Sequence, residues 1–181
     1  MTQFTVGVIT ISDRASQGVY EDLGGPALCE AARGFGWHIQ AEAIIPDDLP
    51  RIQETVRAFS AQGCQLILTT GGTGIAPRDV TPEAIRGIMR VELPGFGEVM
   101  RADSIKVTPN AILSRSLAAV VDRSLVIALP GKPQAAVECV GFVAGAIPHA
   151  VRVAAGLPTS CREFITARLD SGFGDIVSLT M

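Results

Sequence analysis

The sequence predicts an α/β fold, a three-layer α/β/α sandwich around a mostly parallel central sheet. Three observations carry that expectation. Short β-branched runs alternate with helical patterns, so the chain reads β-α-β-α-β as far as Thr70. Hydrophobic residues make up 48% of the 181 and charged residues 18%, enough apolar material for a full core and too much for disorder. No internal repeat or long linker interrupts the pattern.

Residues 4–12 (FTVGVITIS) are short and β-branched, as a buried strand requires. A polar loop, DRASQGVYEDLGG, follows. The Ala-rich stretch 26–36 starts with Pro26, which suits a first helical turn, and ends at glycine. Residues 38–46 (HIQAEAIIP) alternate like a second strand. Asp48 can cap a helix from Leu49 to about Ala61, with Ile52, Val56 and Phe59 on its apolar side. Residues 65–70 (QLILTT) make the third strand. This order implies parallel strands joined by right-handed helical crossovers.

Thr81 then reads as an N-cap, with Pro82 at the first position of a helix ending near Arg90. Another helix is expected over about 97–106. LAAVV and SLVIALP, separated by Asp122 and Arg123, read as strands in a hairpin or at a sheet edge. Residues 133–145 and 147–155 read as helices. The apolar stretch 140–157 carries Pro148, His149 and Arg152, so it fits two packed helices better than a membrane span.

Net charge is -3, which gives no general attraction to nucleic acid or acidic membranes. One Trp, one Tyr and seven Phe leave little for base stacking. Cys29, Cys64, Cys139 and Cys161 form no CxxC pair, and with two histidines, His38 and His149, a standard zinc site is not expected. Reduced, mostly buried thiols are the plain reading. MTQFTVGVITIS enters a strand with no basic start or cleavage site, so a soluble, cytoplasmic protein is expected.

The chemistry points to residues 69–84, TTGGTGIAPRDVTPEA. Ligands of open α/β sheets bind beyond the carboxyl ends of strands, where this loop sits. Its glycines permit positive φ and let successive backbone N–H groups face an anion, with the helix starting near Thr81 adding its positive end. No Lys follows as a P-loop needs, and Pro77 replaces the last glycine of a dinucleotide fingerprint. A carboxylate at Asp79 beside phosphate is unfavourable unless a cation lies between, and Mg²⁺ is the usual one. Asp47 could reach the same edge. Local readings remain open: a tight glycine turn, Asp79 as an exposed cap residue, Arg78 as a phosphate contact or a solvated side chain, and Asp47 in a capping turn with Asp48.

The loop, together with ELPGFGEVMR (92–101), AILSRS (111–116) and LPGKP (129–133), resembles the molybdopterin adenylyltransferases of molybdenum cofactor biosynthesis. These are the MogA-type and MoaB-type proteins and the G domain of gephyrin. VITISDRASQGVYEDLGGPAL (8–28) is similar to their amino-terminal stretch, and IIPDD (44–48) to their second-strand end. Several spaced motifs agree in order over residues 5–157, which is more specific than any one loop. The resemblance implies one domain over residues 1–158. Residues 159–181 are an unmatched tail without a clear period, read as uninformative and a candidate for disorder.

The resemblance also implies Mg²⁺-dependent transfer of AMP from ATP to molybdopterin, a homotrimer or hexamer, and a molybdenum insertase that takes the product. Carried over residue by residue, Asp79 and Asp47 position the metal and the reacting phosphates. Gly71, Gly72, Thr73 and Gly74 match the substrate-binding loop. Ser114 and Ser116 contact the pterin or its phosphate, Pro130 and Gly131 form a pocket wall, and Ser12 and Asp13 form part of the rim. Each of the last six also has a local reading as a cap, turn or strand break. A non-catalytic molybdopterin-binding or assembly protein of the same fold is the alternative. The paired PRD and PDD carboxylates argue against it, because binding alone needs no carboxylates beside phosphates.

Overall fold

The β-branched runs form the sheet. A computed structural model describes residues 4–158, with six strands in the order β2-β1-β3-β6-β5-β4. These are β1 (Thr5–Ile11), β2 (His38–Ile45), β3 (Leu66–Thr70), β4 (Val91–Glu92), β5 (Leu117–Val121) and β6 (Ser124–Leu129). β2, β1, β3 and β6 run parallel; β5 lies antiparallel to β6, and β4, antiparallel to β5, points the same way as the other four. β5 and β6 form the expected hairpin, with Asp122 at φ +51 in its turn. Both are buried on both faces, as their unbroken apolar runs require.

Helices cover each face. α2 (Gly24–Gly34), α5 (Pro94–Ser104), α6 (Pro133–Val143) and α7 (Ile147–Ala154) enclose one core, including Leu28, Leu68, Met100, Ile127, Val140 and Val151. α3 (Leu49–Ala61) and α4 (Thr81–Arg86) enclose the other, including Ile9, Ile52, Val56, Ile67, Ile85 and Val126. The alternation of Leu66 and Leu68 against Ile67 along β3 divides these cores, as the two-residue strand period dictates.

Several boundaries differ from the sequence reading. α2 begins at Gly24, before Pro26, because the Asp22 carboxylate accepts from the N–H groups of Gly24 and Gly25. The polar loop after β1 contains a four-residue helix, α1 (Asp13–Ser16), whose first turn is closed by the Ser12 hydroxyl accepting from Ala15 N. α4 is capped by Val80 and stops at Arg86, not Arg90, since Arg90 N bonds Val120 O and leads into β4. α5 starts at Pro94 and ends at Ser104, and α6 ends at Val143. A 3₁₀ turn (Pro109–Leu113) leads into β5.

α6 and α7 meet at 77°, and among the described residues no single helix is long and apolar enough to cross a membrane. Cys29, Cys64 and Cys139 are buried and free, and burial first of all, then Glu42, pushes the Cys29 thiol up to about 12. The expectations for the tail and for Cys161 fall outside the described residues.

Candidate active site

β1 and β3 are neighbours, but the chain leaves them on opposite faces, through α2 after β1 and through α4 after β3. Strand order reverses there, and a crevice opens beyond the carboxyl ends. Three loops meet in it: residues 12–13 after β1, 71–80 after β3 and 130–132 after β6. Gly71 N donates to Leu129 O, Thr70 Oγ1 to Pro130 O at 2.7 Å and Thr73 Oγ1 to Leu129 O at 3.3 Å. The Thr73 hydroxyl is thus spent inside the protein, and its residue serves the cleft by position.

The glycine loop is shaped by close approach. Gly71 and Gly72 have φ of +111 and +62. A side chain on Gly74 would stand 2.8 Å from Asp79 Oδ2. Among the described residues, the N–H groups of residues 72–75 donate to no acceptor, which leaves a run of backbone donors along the cleft. The expected contribution of α4 is not realised. That helix has only six residues, and Thr81 N and Oγ1 donate to Gly72 O and Gly71 O. The uncapped helix N-terminus at the crevice belongs instead to α6, with Gly131 and Lys132 before it.

Two adjoining clefts share Gly72, Asp79 and Gly131. The larger, about 490 Å³, has apolar walls from Ile75, Met100, Ala111, Leu113, Pro130 and Ala135, with Ser114, Arg101 and Lys132 also facing it. The smaller, about 360 Å³, is lined by Ser12, Tyr20, Asp22, Asp47, Gly71 and Pro133 among others. Ser116 is buried and opens on neither; its hydroxyl accepts from Ser114 Oγ at 2.9 Å. Asp13 stands behind the smaller cleft. Its Oδ1 accepts from Asp47 N at 3.1 Å, its N donates to Asp47 Oδ2 at 2.9 Å, and its carboxylate pairs with Arg78.

Asp47 and Asp79 each have one oxygen engaged by backbone, Asp47 Oδ2 by Asp13 N and Asp79 Oδ2 by Ala76 N at 2.7 Å. Neither Oδ1 accepts a hydrogen bond among the described residues. Burial first, then repulsion from Asp79, raises the Asp47 carboxyl above the ordinary aspartate range, against an opposing backbone hydrogen bond. Asp79→Asn should therefore lower the Asp47 pKa without normalising it, because burial persists. A ¹³C carboxyl titration reads this, and an unmoved Asp47 would mean that the two carboxylates do not sense each other. The linkage has a definite sign. A pKa raised by folding adds stability below the unfolded pKa and loses it as pH rises through the folded one, and Asp79→Asn should shrink that loss.

Residues 7–149 match the family model described as a probable molybdopterin binding domain. The chain belongs to this family. A molybdopterin adenylyltransferase of Helicobacter pylori (strain J99) is 43% identical over 162 residues, covering 86% of this chain and 90% of that protein. The molybdopterin adenylyltransferase of Haemophilus influenzae is 46% identical over 137 residues, covering 74% and 69%. The crystal structure of the molybdopterin biosynthesis enzyme MoaB from Thermus thermophilus superposes with a TM-score of 0.81 at 40% identity, covering 87% of this chain and 100% of that one.

For a molybdopterin-binding family member the donor set suits Mg²⁺. Among the described residues no three His, Cys, Asp or Glu side chains gather to cage a metal. Mg²⁺ needs no such cage, since one or two carboxylates with water and substrate phosphates suffice. Sequence reasoning passed over Arg115, between Ser114 and Ser116. Its guanidinium donates to Gly74 O and Asp79 O, each at 2.6 Å, and pairs with Glu83. Its place inside AILSRS was the one available signal.

Proposed function

We propose that this chain transfers AMP from ATP to molybdopterin, releasing pyrophosphate, with Mg²⁺ held by Asp47 and Asp79. It is an adenylyltransferase of molybdenum cofactor biosynthesis. The observation that carries the detailed reading is the position of Asp79 on the wall shared by two clefts, with Asp47 in one of them. Two anionic substrates meeting there need a cation between them and the carboxylates.

The larger cleft takes the pterin. Its apolar walls suit a flat ring system, and Arg101 and Lys132 suit the terminal phosphate. The smaller cleft takes the triphosphate. A phosphate oxygen of molybdopterin attacks the α-phosphorus of ATP, and the bond to the β-phosphate breaks with its electron pair leaving on pyrophosphate. The free N–H groups of residues 72–75 and the α6 N-terminus stabilise charge on the nonbridging oxygens. Bound Mg²⁺ supplies charge neutralisation of the triphosphate. Ser114 orients the pterin side, and Ser12 and Pro130 with Gly131 complete the walls. No side-chain nucleophile is required, because transfer at phosphorus rests on positioning and electrostatics.

The same reading carries a domain over residues 1–158, a cytoplasmic location, a homotrimer with a hexamer as its alternative, and delivery to a molybdenum insertase. The test mixes purified protein, molybdopterin, ATP and Mg²⁺. Adenylylated molybdopterin and pyrophosphate should form, and chelating Mg²⁺ should stop them. Pterin binding without product would favour a carrier.

A further inference from the structure

Asp79 has no regular secondary structure to hold it. It ends an exposed loop in which Ile75 is 67% exposed, and the loop's own bonds are Asp79 N to Ala76 O and Ala76 N to Asp79 Oδ2. The second of these aims the carboxylate, so the carboxylate goes where the loop backbone goes. Both ends of that backbone are gripped from outside by one side chain. Arg115 Nε donates to Gly74 O at 2.6 Å and Nη2 to Asp79 O at 2.6 Å. Its own backbone N donates to Thr73 O at 2.9 Å.

The remaining arm of the guanidinium pairs with Glu83 in the first turn of α4. This neutralises the charge and anchors the fork to the helix that follows the loop. Arg115 lines neither of the two clefts, so it does not meet substrate. A planar fork is needed, because a lysine ammonium cannot present three fixed N–H directions to Gly74, Asp79 and Glu83 at once.

We propose that Arg115 is a positioning residue for adenylyl transfer, holding the 74–79 backbone so that the Asp79 carboxylate faces the wall shared by the two clefts. This rests on the transferase reading above. A loop displaced by about 1 Å typically costs up to about 10²-fold in rate while leaving binding elsewhere intact.

The experiment compares wild type, Arg115→Ala and Arg115→Lys by kcat, Mg²⁺ half-saturation, molybdopterin Kd and melting temperature. In Arg115→Ala, kcat should fall about 10- to 100-fold. Mg²⁺ half-saturation should rise at least about threefold, while molybdopterin Kd stays within about threefold of wild type, since only the carboxylate is displaced. Arg115→Lys keeps the charge and should fold even where the alanine variant does not. It should still lose about tenfold in kcat, because the fork is gone. A role confined to folding would lower the melting temperature and leave kcat and Mg²⁺ half-saturation, per pterin-binding site, unchanged. That result in either folded variant overturns the proposal. Wild type that binds molybdopterin but makes no product overturns the transferase reading and this role with it, so the two failures are told apart by the wild-type assay.

Discussion

Replacing Asp79 with alanine should cut the rate of adenylyl transfer by about 10²–10³ while molybdopterin still binds. Asp79 borders both clefts, and both proposed substrates carry phosphate. A bare carboxylate there opposes binding, so its removal should leave molybdopterin affinity unchanged or tighter. What it contributes is the cation that neutralises the triphosphate, and that contribution is realised at the reacting phosphorus. Asp79→Asn separates charge from loop shape, because an asparagine oxygen can still accept from Ala76 N. Both variants should show the same loss in single-turnover assays, with dissociation constants from equilibrium dialysis near wild type. Wild-type turnover in Asp79→Asn would remove the carboxylate charge from the mechanism. Loss of binding together with turnover in the alanine variant alone would mean that Asp79 acts by shaping the loop.

How far such a site could be read from sequence depends on the distance between partners along the chain. The strands at β1, β2 and β3 were legible because β-branched runs of that length have few alternatives. Their order was not, since β6 pairs with β3 through residues about 60 apart, and nothing local encodes that choice. α1 and β4 are too short to show a period. Thr81 looked like a cap because Thr before Pro at a helix start usually is one. Its hydroxyl is drawn instead to Gly71 O, ten residues back, by the turn the glycines make. Asp79 was visible as an electrostatic anomaly within its own loop. Arg115 was not, because the carbonyls it holds are 36 and 41 residues away. A basic residue between two serines carries no mark of that duty.

Gly71→Ala should destabilise the fold by at least about 3 kcal/mol, a large part of the roughly 5–15 kcal/mol that holds a domain together. Two costs combine. At φ +111 any side chain is strained, and the new methyl would collide with the carbonyl oxygen of Ile11, which is backbone and cannot swing aside. Ile11 is the last residue of β1, so the collision pushes apart the two strand ends that bring Ser12 and Asp13 to the glycine loop. Relief would also strain Gly71 N to Leu129 O and Thr81 Oγ1 to Gly71 O, so turnover should fall along with stability. Gly141→Ala is the matched control. Gly141 lies inside α6 with open space where a methyl would go, so there alanine should stabilise by about 0.5–1 kcal/mol through helix propensity and a less flexible unfolded chain. Urea unfolding of both variants decides the matter. Opposite shifts in midpoint follow if the β1–β3 approach is as close as described, and a Gly71→Ala midpoint near wild type would show that the strand ends stand further apart.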